Sequence, residues 1–354
     1  FLERHVYPMP PGHYERRRAR LERFGVDERR RQIDRAWYFF TSGPDATPVR
    51  QELERIPNWQ DDAYVRSLYS TVGSPRYSED VTFALRERPQ HVLTYYNHAA
   101  RLFLMRERYG AKHVLQAIQT AIGIFARSPA RGLESDDVEG FTVMTDLRLR
   151  PEITQAYLDH LPGEDRRRRL HTLLLAQLYK NRGLVLYESG QFDEARKALL
   201  RAAHALPADG VVIAYLARVA RDTGDDDEAA ARYTECMEIE PYFAEAFEEY
   251  SALLLRVGRY DAAVELAQRW LASYIHADAT RLGIHATLAE AYIQLGRREE
   301  AEGALALGEG ELDTGKINTG LWELQRPDGA IAAPDLQRIR EAFQQLRSRA
   351  RASP

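Results

Sequence analysis

The chain has 354 residues, of which 44% are hydrophobic and 29% charged, with a formal net charge of −4. This composition fits an ordinary folded protein and excludes disorder or a fibrous repeat, and the near-neutral balance excludes a surface that is polyanion-binding throughout. No stretch approaches the ~20 apolar residues of a membrane-spanning helix, and a single cysteine, Cys236, excludes both an intrachain disulfide and a cysteine-rich metal site.

Charge is unevenly spread. Residues 176–315 hold 14 basic and 25 acidic side chains, a net of −11, which leaves +7 for the remainder. Only four of the 49 basic residues are lysines (Lys112, Lys180, Lys197 and Lys316), a bias that a GC-rich genome produces through arginine codons. The chain opens on Phe1-Leu2 without methionine, which points to a processed or trimmed start. Were a membrane span to precede it, the arginines just downstream would place this part in the cytoplasm. The expected location is cytoplasmic, with membrane association or a periplasmic site after processing as alternatives.

In chain order, residues 1–12 are irregular, punctuated by three prolines and a glycine. Two helical pieces over 13–40 break at Gly25, the second carrying Ile33, Trp37 and Phe40 as its apolar stripe. Helices are predicted at 49–56, 60–71 and 78–87, with Gly73 to Pro89 faintly echoing a later pattern. Two stronger helices, 91–108 and 112–127, flank Gly110 as a hairpin. A polar loop over 128–140 follows, then a helix around 151–161. Gly163–Arg169 reads as an exposed junction.

Beyond it the chain is periodic. Gly190, Gly224 and Gly258 are 34 residues apart, each followed five residues later by alanine (Ala195, Ala229, Ala263); Gly296 and Ala301 repeat the pair after a slip of four. Pro207 and Pro241 keep the same step. A period near 34 signals stacked helical hairpins, predicted at 171–189 with 192–205, 210–223 with 226–239, 243–257 with 260–274, and 281–295 with 298–307. Residues 308–334 are aperiodic, and a last helix over 335–350, with Leu336, Ile339, Phe343 and Leu346 on one stripe, reads as a lid over the final hairpin.

These residues resemble the tetratricopeptide repeat. With copies starting at Ala176, Gly210, Ala244 and Leu282, the family's small residue at position 8 is Gly183, Ala217, Ser251 and Ala289. Position 27, also small, is Ala202, Cys236, Trp270 and Gly308. The resemblance covers about 140 residues and implies an all-α, right-handed solenoid of helical hairpins with a less regular helical region before it. The implied divisions are 1–90, 91–170, four repeats over 171–315 (176–209, 210–243, 244–277 and 282–315), and 316–354. Trp270 in a small position, together with the four-residue insertion after it, predicts irregular stacking between the third and fourth hairpins.

In this family the first helix of each hairpin lines a groove. Carried over, that implies Gln177, Lys180, Asn181, Leu184, Tyr187 and Glu188 in copy one, and Tyr215, Arg218 and Arg221 in copy two. Copy three supplies Glu245, Glu248 and Glu249, and copy four Thr287, Glu290 and Gln294. The groove would run from basic and aromatic to acidic, suited to a bipolar peptide whose basic part lies near Glu245–Glu249. The family's carboxylate clamp of lysines and asparagines is not expected, because Leu184 stands at an asparagine position and Glu248 and Glu249 replace basic groups.

Arg16, Arg17, Arg18 and Arg20 offer an anionic partner a contact, although interleaved Glu15 and Glu22 allow self-pairing along a helix. His91 and His98 share a helix face without a third ligand at fitting spacing, so no metal is expected. Phosphate-loop, dinucleotide, nucleophile-elbow and zinc-protease motifs are absent from the sequence. The expectation is a non-catalytic scaffold or assembly subunit without cofactor, binding a protein or peptide rather than nucleic acid. The alternatives are an accessory subunit of a membrane complex docked through 1–40, and an enzyme with an unrecognised site in 1–140.

Overall fold

The computed structural model describes residues 47–71, 76–127, 163–241, 243–273, 279–313 and 333–352, with seven positions between 28 and 36. The described residues are all-α, without a strand. The chain divides into two compact units, Phe1–Pro207 and Ala208–Pro354. The arginines at 16–20, Trp37, Phe40, the Gly73 turn and the helix expected at 151–161 lie outside the described residues.

In the first unit, α1 (Thr47–Glu54) and α2 (Ala63–Thr71) pack with the helical residues around Ile33. Ile33, Leu53 and Val65 are within 1% of full burial there. Helix α2 pairs with α3 (Tyr77–Glu87), and the buried Asp80 carboxylate accepts from Arg66 at 2.7 Å while the Arg66 guanidinium lies 4.2 Å from the Phe83 ring centroid. A hairpin therefore exists where the sequence showed only an echo. The expected 91–108 helix is two pieces, α4 (Val92–Leu104) and the single turn α5 (Arg106–Tyr109), broken at Met105. After Gly110, α6 (Ala111–Arg127) returns against α4.

Helix α7 spans Gly163–Glu188, so the tract expected as an exposed junction is the helix's opening turns. Asp165 and Arg168 keep it solvated on one side while Leu170, Leu174 and Leu178 are fully buried against α4 and α6. Helix α8 (Phe192–Ala205) completes this hairpin.

Among the described residues, the second unit holds three hairpins and a closing helix. They are α9 (Gly210–Asp222) with α10 (Asp226–Ile239), α11 (Ala244–Arg256) with α12 (Tyr260–Ser273), and α13 (Ala279–Gln294) with α14 (Arg298–Asp313). Helix α15 (Ala333–Ala352) packs on α14 and α13. Helix α14 runs six residues past its expected end at 307, because Leu312 is buried and keeps the apolar stripe going.

The periodic glycines end the first helices in one repeated geometry. Gly190, Gly224, Gly258 and Gly296 have φ between 70° and 87°, which side-chain-bearing residues resist. In each case the next residue donates back five positions: Gln191 to the Leu186 carbonyl, Asp225 to Ala220, Arg259 to Leu254 and Arg297 to Tyr292, all at 2.8–2.9 Å. Each glycine N–H also donates three positions back, at 2.9–3.3 Å, and the two bonds satisfy carbonyls the helix end would otherwise orphan. Gly110 shares the left-handed backbone (φ 76°) at the α5–α6 turn.

Small residues set the helix spacing. Ala195, Ala202, Ala217, Ala229, Ala263 and Ala301 are all 0% exposed. Trp270 is the exception. It is buried at 4% and stacks on Phe247 with ring centroids 4.5 Å apart. Helices α11 and α12 approach less closely than the two helices of the neighbouring hairpins, whereas α12 and α13 pack tightly. The irregularity lies inside the third hairpin, where the two rings fill the space between its helices, and at its junction with the fourth, where α12 packs on α13 more closely than α10 packs on α11.

Candidate functional site

Two first helices of the second unit, α9 and α11, carry the predicted groove residues of copies two and three. Tyr215, Arg218 and Arg221 lie on α9, and Glu245, Glu248 and Glu249 on α11. Arg218 donates from Nε to both Glu249 oxygens at 2.9 Å and from Nη2 to Glu245 Oε2 at 3.2 Å. Its guanidinium lies 4.4 Å from the Tyr215 ring centroid. Tyr233, on α10 and fully buried, donates its hydroxyl to Glu249 Oε2 at 2.7 Å. Arg221 pairs with Asp222 at 2.7 Å and stands 3.7 Å from Glu249.

This network works as one electrostatic unit. Burial opposes the Arg218 charge, but the Glu249 pair outweighs it and raises the guanidinium above its ordinary range. Burial raises the Tyr233 hydroxyl, and the Glu249 charge raises it further, so it remains a donor. Glu249 is therefore a structural strut joining α9, α10 and α11. Glu245 differs, with a side chain 60% exposed, and Glu248 is exposed on the same helix.

At the far end, Glu290 on α13 is engaged by the chain itself. Arg349 of α15 grips it with two bonds, 2.6 and 2.7 Å, and Gln294 donates to it at 2.9 Å. Burial pushes this carboxyl up, but the Arg349 and Gln294 hydrogen bonds and the Arg349 charge hold it below its ordinary value.

Copy one's residues belong to the first unit, and all but Glu188 are buried or half-buried. Lys180 is 7% exposed, Gln177 and Leu184 are each 8% exposed, and Asn181 is half-buried. The Tyr187 ring lies 5.7 Å from that of Phe192, and Glu188 accepts two bonds from Arg106 at 2.7 and 2.9 Å. Sequence reasoning missed Tyr233 and Arg349. Tyr233 reads as core on a second helix, and its signal lies only in facing the next copy's glutamate. Arg349 is 59 residues from Glu290 across an aperiodic stretch and leaves no signal.

Among the described residues, no cluster of three or more His, Cys, Asp or Glu side chains is arranged to hold a metal ion, and no helix is long and apolar enough to cross a membrane. Cys236 is buried and donates to the Gly210 carbonyl at 3.2 Å, a packing role inside the second hairpin.

No family model matches the chain, and no curated protein matches it. Similar solved structures include a putative kinesin light chain with TPR-like repeats from Podosopora anserina, 17% identical, covering 64% of this chain and 98% of that one at a TM-score of 0.39. Yeast Tom70 is 12% identical, with 96% of this chain and 58% of that one covered at 0.39. The APC/C hetero-tetramer Cut9-Hcn1 is 14% identical, with 89% and 64% covered at 0.32. The chain spans less than two thirds of the length of these last two. By their own period, capped turns and small-residue packing, residues 163–313 are built of helical hairpins.

Proposed function

We propose that the chain is an interaction scaffold that holds a partner polypeptide along the first helices of its hairpins. The observation that carries this reading is the solvent exposure of Glu245 and Glu248 on α11, beside an arginine network anchored mainly on the less exposed Glu249. A face with two solvent-exposed carboxylates favours a basic segment and repels an acidic one. The bipolar peptide suggested by sequence reduces to one whose basic stretch lies over α11. Hairpin arrays present such extended binding surfaces as a consequence of stacking.

Charge reversal at Glu245 and Glu248 tests this. The intact chain is used to capture its partner from native cells, and the captured pair is then titrated. Glu245→Lys with Glu248→Lys should weaken binding at least about tenfold, mainly in association rate and more at low salt. Glu249 is left unchanged, because its loss would strand Arg218 and Tyr233. Asp261→Lys with Glu265→Lys, on exposed positions of α12, should leave affinity unchanged. Equal binding by the α11 variant and the parent would discard the reading.

A further inference from the structure

Helix α15 meets the array through few buried groups. Among its side chains described, Phe343 (1% exposed) and Ala350 (0%) are buried, Ile339 and Leu346 are partly covered, and most of the others face solvent. Phe343 enters a notch that exists because residue 308 is glycine: a Cβ there would lie 2.8 Å from the Phe343 ring and 3.0 Å from the His285 Cβ. Arg347 pairs with Glu309 at 2.7 Å, and Arg349 with Glu290 as described. The seat on α13 and α14 is therefore a glycine-floored apolar notch beside two carboxylates, and its occupant is a basic helix with an aromatic anchor four residues before the first arginine of the pair.

The ion pairs that hold this helix are partly solvated, with Arg349 49% and Glu290 21% exposed, and such pairs contribute little to affinity. Glu290 is also one of the side chains that the reading above places on the binding side. We propose that α15 is an intramolecular ligand, occupying a helix-binding seat that a partner's basic, aromatic-anchored helix takes in its place. Helix-in-groove recognition uses this arrangement, an apolar anchor with flanking charges at helical spacing. The closed α15 lowers apparent affinity by the fraction of time the seat is open. This inference rests on the first helices being the binding side.

The probe is a fluorescent peptide of residues 333–352, measured by anisotropy against the full chain. Phe343→Ala in the chain loosens its own α15 and should tighten peptide binding at least about tenfold, the parent's seat being already filled. Adding Glu290→Lys should remove the gain, and a peptide carrying Arg349→Glu should restore it. Gly308→Val, which fills the notch, should also remove it. Equal affinity of parent and Phe343→Ala chains overturns the proposal, as does a gain that survives both Glu290→Lys and Gly308→Val. If Phe343→Ala loses its helical circular dichroism, Arg347→Glu with Arg349→Glu opens the seat through charge, and the same comparisons apply. A dimer of the parent that dissociates on these substitutions would show α15 exchanged between copies and would overturn the intramolecular assignment. The peptide needs no natural partner, so a failed α11 reversal and a failed seat are separate outcomes.

Discussion

Gly183→Val is expected to destabilise the first unit by about 3 kcal/mol, at the upper end of the cost of overpacking a core. Gly183 lies in α7 facing Leu199 of α8. A Cβ there would fall 2.6 Å from the Leu199 Cγ, 2.7 Å from its Cδ2 and 3.3 Å from its backbone nitrogen. Leu199 is 0% exposed, so it has no solvent to move into. The side chain alone cannot resolve the clash, because the backbone nitrogen is also close and α7 and α8 must separate. Alanine separates two effects of opposite sign. It gains about 1 kcal/mol of helix propensity over glycine, but its clash with Leu199 outweighs that gain, for a net loss of roughly 1 kcal/mol. Shortening the neighbour in Gly183→Ala with Leu199→Ala should recover part of the loss relative to Leu199→Ala alone, which is the signature of coupled sites. Denaturant midpoints with unchanged slopes check this. A neutral Gly183→Val would mean that α7 and α8 do not approach as closely as they do here.

Trp270→Ala is expected to cost about 3–5 kcal/mol, as for other large aromatics removed from cores. Repeat pattern alone gives the opposite sign, since a small residue is usual at this position. The structure decides between them. The Trp270 ring is buried and stacked on Phe247, and α11 and α12 stand apart around the pair. Removal leaves a cavity unless the two helices close, and closing would displace Phe247 and the α12–α13 packing together. In an array where each hairpin contacts its neighbours, the loss should appear first as faster amide exchange in α11 and α12. A change below about 1 kcal/mol would show that the hairpin closes freely.

The parts of the fold legible in sequence are those with one local cause. Gly190, Gly224, Gly258 and Gly296 mark turns because left-handed backbone favours glycine. Ala195 and Ala229 mark close helix approach, whereas Ala263 is equally buried in a hairpin whose helices stand apart around Trp270 and Phe247. The opening of α7 was missed because the Gly163–Arg169 tract is polar and its helix has a buried face only from Leu170 onward. The break at Met105 was missed because the residues around it are good helix formers.

The neighbourhood of α9 and α11 side chains was legible in sequence, but their pairing was not. Arg218 and Glu249 are 31 residues apart, close to one period, and that spacing is the signal that they meet on successive first helices. Whether a pair forms, however, depends on the depth at which the side chains sit, and no sequence spacing reports depth. The same holds for Lys180, which the pattern puts on the binding side and packing draws inward.

Site-specific photocrosslinking in native cells tests the central claim most directly. A photoreactive residue is placed in the intact chain at Glu245 or Glu248 on α11, and at Glu238 or Glu265 on the exposed sides of second helices. The account predicts one shared polypeptide adduct from the α11 positions and none of it from the second-helix positions. An adduct formed equally from both sets, or only from the second helices, would contradict it.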